Sequence, residues 1–174
     1  LKEFHLVGHS MGGWIAAEIA IRSTANITSL TLISSAGIHV KGVTKGDIFL
    51  WSPEELVRNL YVNQDIINDM LSYEPSSDEI EIMVRNRMAA ARYAWHPRFY
   101  NPDLAKWLHR IDIPTLILWG GQDKIFPAEY ATAFKELIPH AQIAILNRCG
   151  HVPHMDRPDG FYPRLKSFLS AGAS

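Results

Sequence analysis

Cysteine occurs once in the 174 residues, at Cys149, so no intramolecular disulfide can staple the fold. That scarcity suits a reducing, cytoplasmic setting. Charge is almost balanced: 17 Lys and Arg against 18 Asp and Glu leave a formal net charge of −1. Such a balance carries no electrostatic footprint for nucleic acid or for an anionic membrane surface, and neither is expected as a partner. No apolar run approaches the roughly 20 residues that span a bilayer. Internal repeats and low-complexity tracts are also missing, which removes solenoids and disordered arrays. What remains is globular composition, 47% hydrophobic and 20% charged, in a length that suits one domain with a buried core.

Against this background one pentapeptide stands out. Gly8-His9-Ser10-Met11-Gly12, followed by Gly13, lies between the apolar run Phe4-His5-Leu6-Val7 and the Ala-rich run Trp14 to Ala20. The first run reads as a short buried strand and the second as a helix. G-x-S-x-G between a strand and a helix is the pattern of a nucleophile elbow, a turn so sharp that its central serine takes strained backbone angles. The flanking positions must then be almost free of side chain, a need that Gly8 and Gly12 meet. The strain lifts the Ser10 hydroxyl off the sheet. Backbone amides and the positive dipole end at the helix start can then face a developing anion.

A serine hydroxyl attacks only when a base takes its proton, and the base needs a carboxylate to hold its tautomer. The chain offers both, in the order serine, acid, histidine. Pro114 to Trp119 reads as a buried strand running into Gly120-Gly121-Gln122-Asp123, which puts Asp123 in a turn just past a strand end. Ala141 to Leu146 reads as the next strand, and Asn147-Arg148-Cys149-Gly150-His151 follows it. In a parallel sheet the strand C-termini collect on one edge, where Ser10, Asp123 and His151 can meet although they are far apart in the chain.

With these residues in place the chain resembles the α/β-hydrolase superfamily. The resemblance is carried by Gly8 to Gly13, by Leu118-Trp119-Gly120-Gly121-Gln122-Asp123, and by Gly150-His151-Val152-Pro153-His154-Met155-Asp156-Arg157-Pro158. The last segment is similar to the family's G-H-x-x-x-x-E-x-P ending, with Asp156 where Glu is more frequent. The resemblance implies Ser10 as nucleophile, Asp123 as acid, His151 as base and the Met11 backbone N–H as one oxyanion donor. It implies no cofactor and no metal, and a small-molecule substrate, with carboxylic ester hydrolysis the expected reaction. Members normally carry several strands and a His-Gly loop with the second oxyanion donor upstream of the elbow. Here the chain is expected to be the carboxyl-terminal part of such a fold and inactive alone. The missing segment or another chain is expected to cover Phe4–His9.

The expected fold is α/β, a mostly parallel sheet with flanking helices and an inserted helical cap. Residues 1–40 and 111–174 form the partial core, and 41–110 the cap. In the core, the first helix is expected over Met11 to Ser23 and the second strand over Leu30 to Ser34. A helix from near Pro127 to Leu137 follows the acid. The last helix covers Gly160 to about Ser170, with a frayed tail over 171–174. In the cap, helical spacing replaces apolar strand runs. One helix begins at Pro53 with Ser52 as N-cap and Glu55 closing a capping box, one covers Asp65 to Leu71, and a long one covers Ser77 to Trp95, with a second box from Ser76 to Glu79. Half of the chain's aromatic residues fall between Val43 and Arg110. Trp51 and Trp95, with Val152 beside the histidine, are the expected pocket residues.

Rival readings are weaker. His154 shares a loop with His151, but only His151 follows Gly150 directly, so His154 reads as a packing residue. A metal site from His151, His154 and Asp156 is disfavoured. His9 shapes the elbow without transferring protons. Arg85, Arg87 and Arg92 read as a solvated face, with a substrate carboxylate as the sharper alternative. Serine at the elbow disfavours dehalogenase and epoxide hydrolase chemistry, which use Asp there. Carbon–carbon hydrolases of ring-cleavage products share a cap and S-M-G-G, but they usually carry Asn and Trp where this chain has His9 and Val152. A non-catalytic ligand-binding relative is the third possibility.

Overall fold

A computed structural model describes residues 2–171. Of the tail expected to fray, Ala171 is the last residue of a helix, and 172–174 lie outside the described residues.

The apolar runs become four parallel strands, β1 (Phe4–His9), β2 (Ile27–Ile33), β3 (Thr115–Gly120) and β4 (Gln142–Leu146), in the order β1-β2-β3-β4. The central strands are buried on both faces, which is why they read as continuous hydrophobic runs. Leu30, Leu32, Ile117 and Trp119 join one apolar cluster, where helix α1 (Met11–Ala20) contributes Ala16, Ala17 and Ala20. Small alanines let this helix lie close against the sheet. Ile33, Leu116, Leu118 and Leu146 join a second cluster with Phe161 and Phe168. Those two phenylalanines belong to the last helix of the chain, Pro158–Ala171. The register pairs Gly8 with Leu32, Ile33 with Leu118, and Gly120 with Leu146, so the strands end level on one edge.

Between β2 and β3 the chain makes a long helical excursion: α2 (Pro53–Leu60), α3 (Gln64–Ser72), α4 (Ser77–Ala94) and the short α5 (Leu104–Trp107). Both expected capping boxes are formed, Ser52 with Glu55 and Ser76 with Glu79, each satisfying amides at a helix start that the helix itself leaves orphaned. The excursion leaves and returns side by side. Gly37 N–H donates to Phe99 O at 3.0 Å, and Asn101 N–H donates back to Gly37 O at 3.0 Å. Gly37 sits at φ +116° with Trp14 and Leu104 against its Cα, a position only glycine fills without strain. Leu104 and Leu108 are buried in the same cluster as Leu30, Leu32, Ile117 and Trp119, which also takes in Ala94 of α4.

After β3 come α6 (Glu129–Leu137), β4, the single turn α7 (Pro153–Asp156) and α8 (Pro158–Ala171). The expected first helix is shorter, ending at Ala20, and β2 starts earlier, at Ile27, because Ile27 and Ser29 pair with Phe4 and His5. Arg87 is exposed, as expected, and its guanidinium also donates to the carbonyls of Ile48, Phe49 and Trp51, tying α4 to the loop that leads into α2. Arg85 pairs with Glu81 at 2.6 Å. No helix among the described residues is long and apolar enough to cross a membrane.

Candidate active site

The turn from β1 into α1 holds Ser10 at φ 54° and ψ −120°, a backbone state that costs a non-glycine residue about 1–3 kcal/mol. The surroundings impose it. Ser10 N–H donates to Ile33 O at 2.9 Å, and Ser10 O accepts from Gly13 N–H (3.0 Å), Trp14 N–H (3.2 Å) and Ala36 N–H (3.0 Å). The elbow is thereby tied to the end of β2 as well as to its own helix. Space around the glycines departs from expectation at one position. A Cβ on Gly8 would lie 2.3 Å from Gly12 O, and one on Gly13 would lie 2.5 Å from Ser35 Oγ, whereas one on Gly12 would meet nothing within 4 Å. Close packing of helix on strand therefore needs Gly8 and Gly13, not Gly12.

Asp123 lies in the turn after β3, buried, with Oδ1 accepting from Ile125 N–H at 2.8 Å and Phe126 N–H at 3.0 Å. Its Oδ2 accepts from His151 Nδ1 at 2.9 Å. A carboxylate can only accept, so Nδ1 carries the proton and Nε2 presents its lone pair. Ser10 Oγ lies 2.9 Å from that Nε2 and donates to it. The three side chains thus form one hydrogen-bonded line in a dry setting, with the His151 side chain 4% exposed and that of Asp123 0%. Met11 is the first residue of α1, so its N–H belongs to the first-turn amides that have no intrahelical acceptor.

His9 has a definite task in this geometry. Its Nε2–H donates to the backbone carbonyl of His151 at 2.7 Å, and its ring sits 5.0 Å from the His151 ring and 5.5 Å from that of His154. Burial first, and then the neighbouring His151, pull its pKa down to about 4. The ring is neutral at ordinary pH, so no second imidazolium competes beside His151. Burial also lowers the pKa of His154, whose ring packs on Phe161.

The low His9 value has a consequence for stability. Unfolding frees the ring to bind a proton near its ordinary 6.5, so between that value and about 4 the unfolded chain holds more protons. The stabilisation is complete above the unfolded value and disappears as pH falls toward the folded one. Going from pH 7.5 to 4.5 should remove about 2 kcal/mol through His9. Urea unfolding of the full-length protein at both pH values, compared with His9→Asn, checks this: the variant should lose less. Equal losses would count against it.

Of the expected pocket residues, Val152 is buried directly after His151. Trp51 is half-buried against Gly46, and Trp95 is largely exposed, with the Arg98 guanidinium 4.1 Å above its ring. Trp95 connects to the site through ring contacts: Phe49 at 5.6 Å, then Phe99 at 5.1 Å, Phe126 at 6.2 Å, and finally Phe126 to His151 at 5.7 Å. Phe126 was not expected at the site, although its place three residues after an Asp in a turn is where such an Asp accepts a backbone amide. Among the described residues, no group of three or more His, Cys, Asp or Glu is arranged to hold a metal ion.

A parallel sheet with a strained serine at a strand-to-helix turn, hydrogen-bonded through histidine to a buried carboxylate, defines an α/β fold built around a nucleophile elbow. The chain belongs to the alpha/beta hydrolase family, whose model matches residues 1–164. It is similar to the dihydrolipoyllysine-residue acetyltransferase component of the acetoin cleaving system of Cupriavidus necator, 30% identical over 183 residues, covering 97% of this chain and 46% of that protein. It is also similar to Lipase 1 of Psychrobacter immobilis, 29% identical over 178 residues, covering 97% of this chain and 56% of the relative. Among solved structures, a serine hydrolase involved in carbazole degradation superposes with a TM-score of 0.72 at 26% identity, covering 97% of this chain and 64% of that one. The chain spans about half the length of the curated relatives it matches.

Proposed function

We propose that this chain is the nucleophile-bearing part of a serine hydrolase that cleaves carboxylic esters of small molecules. The observation that carries the reading is the unbroken line Asp123–His151–Ser10, with both links at 2.9 Å. In this reading Ser10 Oγ attacks the ester carbonyl while His151 Nε2 takes its proton, and the carbonyl π electrons move onto oxygen. The Met11 N–H stabilises that oxyanion as one donor of the oxyanion hole. Collapse expels the alkoxide, which takes the proton from His151. Water then repeats the sequence on the acyl-enzyme and frees Ser10. Asp123 stays ionised and stabilises the imidazolium of each step. No cofactor takes part. The excursion 41–110 acts as the cap over the substrate, and the single buried Cys149 fits work in the cytoplasm.

A fluorophosphonate probe offered to the full-length protein should mark the peptide that contains Ser10, and Ser10→Ala should abolish the mark. A folded full-length protein that resists the probe would overturn the reading. Carbon–carbon bond cleavage is the second possibility, and assays on an ester and on a ring-cleavage product distinguish the two.

The outer edge of β1 bears on partners. Val7 on the strand is 43% exposed, and Ile15 and Ile19 on α1 are 54% and 45% exposed. These side chains belong to a strand and helix that pack well on their inner side only. The same proposal therefore includes a polypeptide covering β1, either the remainder of the protein or another chain. The isolated 174 residues should run as dimers or larger species in gel filtration and show little esterase activity. A monodisperse monomer as active as the full-length protein would refute that part.

A further inference from the structure

His151 is held by its backbone as firmly as by its ring. Its N–H donates to Leu60 O at 2.8 Å, and its carbonyl accepts from His9. The residue before it, Gly150, donates its N–H to Asp156 Oδ2 at 2.6 Å. Asp156 is 4% exposed, so each oxygen of its carboxylate needs donors from within the protein. The others come from far away in sequence. Val62 N–H lies 3.1 Å from both Oδ1 and Oδ2, and Asn63 N–H lies 3.0 Å from Oδ1.

Val62 and Asn63 form the link between α2 and α3, inside the helical excursion. One buried carboxylate therefore fastens that link to the residue preceding His151. The fit is close on the other side too. A Cβ on Gly150 would lie 2.5 Å from Leu60 O and 3.0 Å from Asp156 Oδ2, so the two segments touch backbone to backbone. Tyr61 adds its hydroxyl, 3.6 Å from Met155 Sδ.

We propose that Asp156 is a positioning residue that couples the place of the α2–α3 link to the place of the His151 imidazole. The proposal rests on the serine hydrolase reading for its catalytic consequence. When the link shifts, the Asp156 bonds to Val62 and Asn63 and the Leu60–His151 bond strain together, and the His151 backbone follows. Nε2 then leaves the 2.9 Å contact with Ser10 that proton transfer needs. The excursion in its seated position is thus a condition for an active serine, not only a cover.

The test uses the full-length protein, read by hydrogen exchange and by the rate of fluorophosphonate labelling. Asp156→Asn keeps the shape but turns an NH₂ toward backbone N–H donors. Labelling should slow about 10–100-fold, the usual cost of a small misplacement. Exchange should rise together in peptides spanning 60–63 and 149–152. Val62→Pro removes one donor from the opposite side and leaves the Gly150 bond in place; the extended Tyr61 is what a residue before proline requires. This variant should also slow labelling and loosen 149–152, and it decides the matter alone if Asp156→Asn fails to fold. Labelling and exchange of 149–152 at wild-type rates in Val62→Pro would overturn the coupling and leave Asp156 a local brace. Failure of the wild type to label would sink the serine hydrolase reading instead, with exchange still judging the joint.

Discussion

Under the proposed ester hydrolase reading, Ser10→Ala and His151→Ala should each lower ester turnover by the full-length protein about 10⁵–10⁶-fold, and the double variant should lose hardly more. The reason lies in the line of hydrogen bonds. In the proposed mechanism Ser10 Oγ is nucleophilic only while His151 Nε2, 2.9 Å away, accepts its proton, and His151 has nothing to activate once the hydroxyl is gone. Asp123→Asn should behave differently. Oδ1 of Asp123 faces the N–H groups of Ile125 and Phe126, so an Asn amide must keep its oxygen there and turn its NH₂ toward His151 Nδ1. Two donors would then face each other. His151 relieves this by moving its proton to Nε2, which then donates toward Ser10 and no longer accepts. A loss of about 10⁴-fold with the fold intact is expected. Steady-state kinetics on a chromogenic ester measure all four variants. Additive losses, or a Ser10→Ala protein that still turns over, would show that the line is not the working unit.

The parts legible in the sequence are those built from neighbours along the chain. The elbow needs only a strand, glycines and a helix in succession. The two Ser-to-Glu capping boxes are closed within three residues. Asp123 and His151 could be placed because each follows a strand end, where a parallel sheet gathers its loops. The illegible parts depend on distant backbone. Nothing local marks Asp156 as the acceptor for amides at 62 and 63, 94 and 93 positions away. His9 reads as a turn residue until the His151 carbonyl, 142 positions away, is seen over its ring. Periodicity places the start of β2 at Leu30, since Thr28 and Ser29 break the apolar run, yet Ile27 and Ser29 pair with β1 and Thr28 is bulged out between them. The glycines show the same division. The pattern G-x-S-x-G draws the eye to Gly12, but what presses on Gly13 is Ser35, from beyond the next strand.

That division can be tested with one methyl group at two positions. Gly120 ends β3 beneath the histidine loop, and a Cβ there would lie 1.9 Å from Gly150 O and 2.6 Å from Cys149 O. Both are backbone atoms, so no rotamer change relieves the clash. Neither neighbour can retreat cheaply. Gln122 N–H is bonded to Cys149 O at 2.8 Å, Gly121 N–H to Leu146 O at 2.8 Å, and Gly150 N–H to Asp156. Gly120→Ala must therefore push the turn of Asp123 away from the loop of His151, with a cost of about 3 kcal/mol or more, or insoluble expression. Gly12→Ala should do the reverse. It lies in the first turn of α1 with nothing within 4 Å of its Cβ position, so alanine adds helix propensity without a clash. A gain of up to about 1 kcal/mol, or no change, is expected. Urea unfolding midpoints of the full-length protein and the two variants give the answer. A Gly120→Ala midpoint matching wild type, or a Gly12→Ala loss as large as that of Gly120→Ala, would contradict this close packing of the Asp123 turn on the His151 loop.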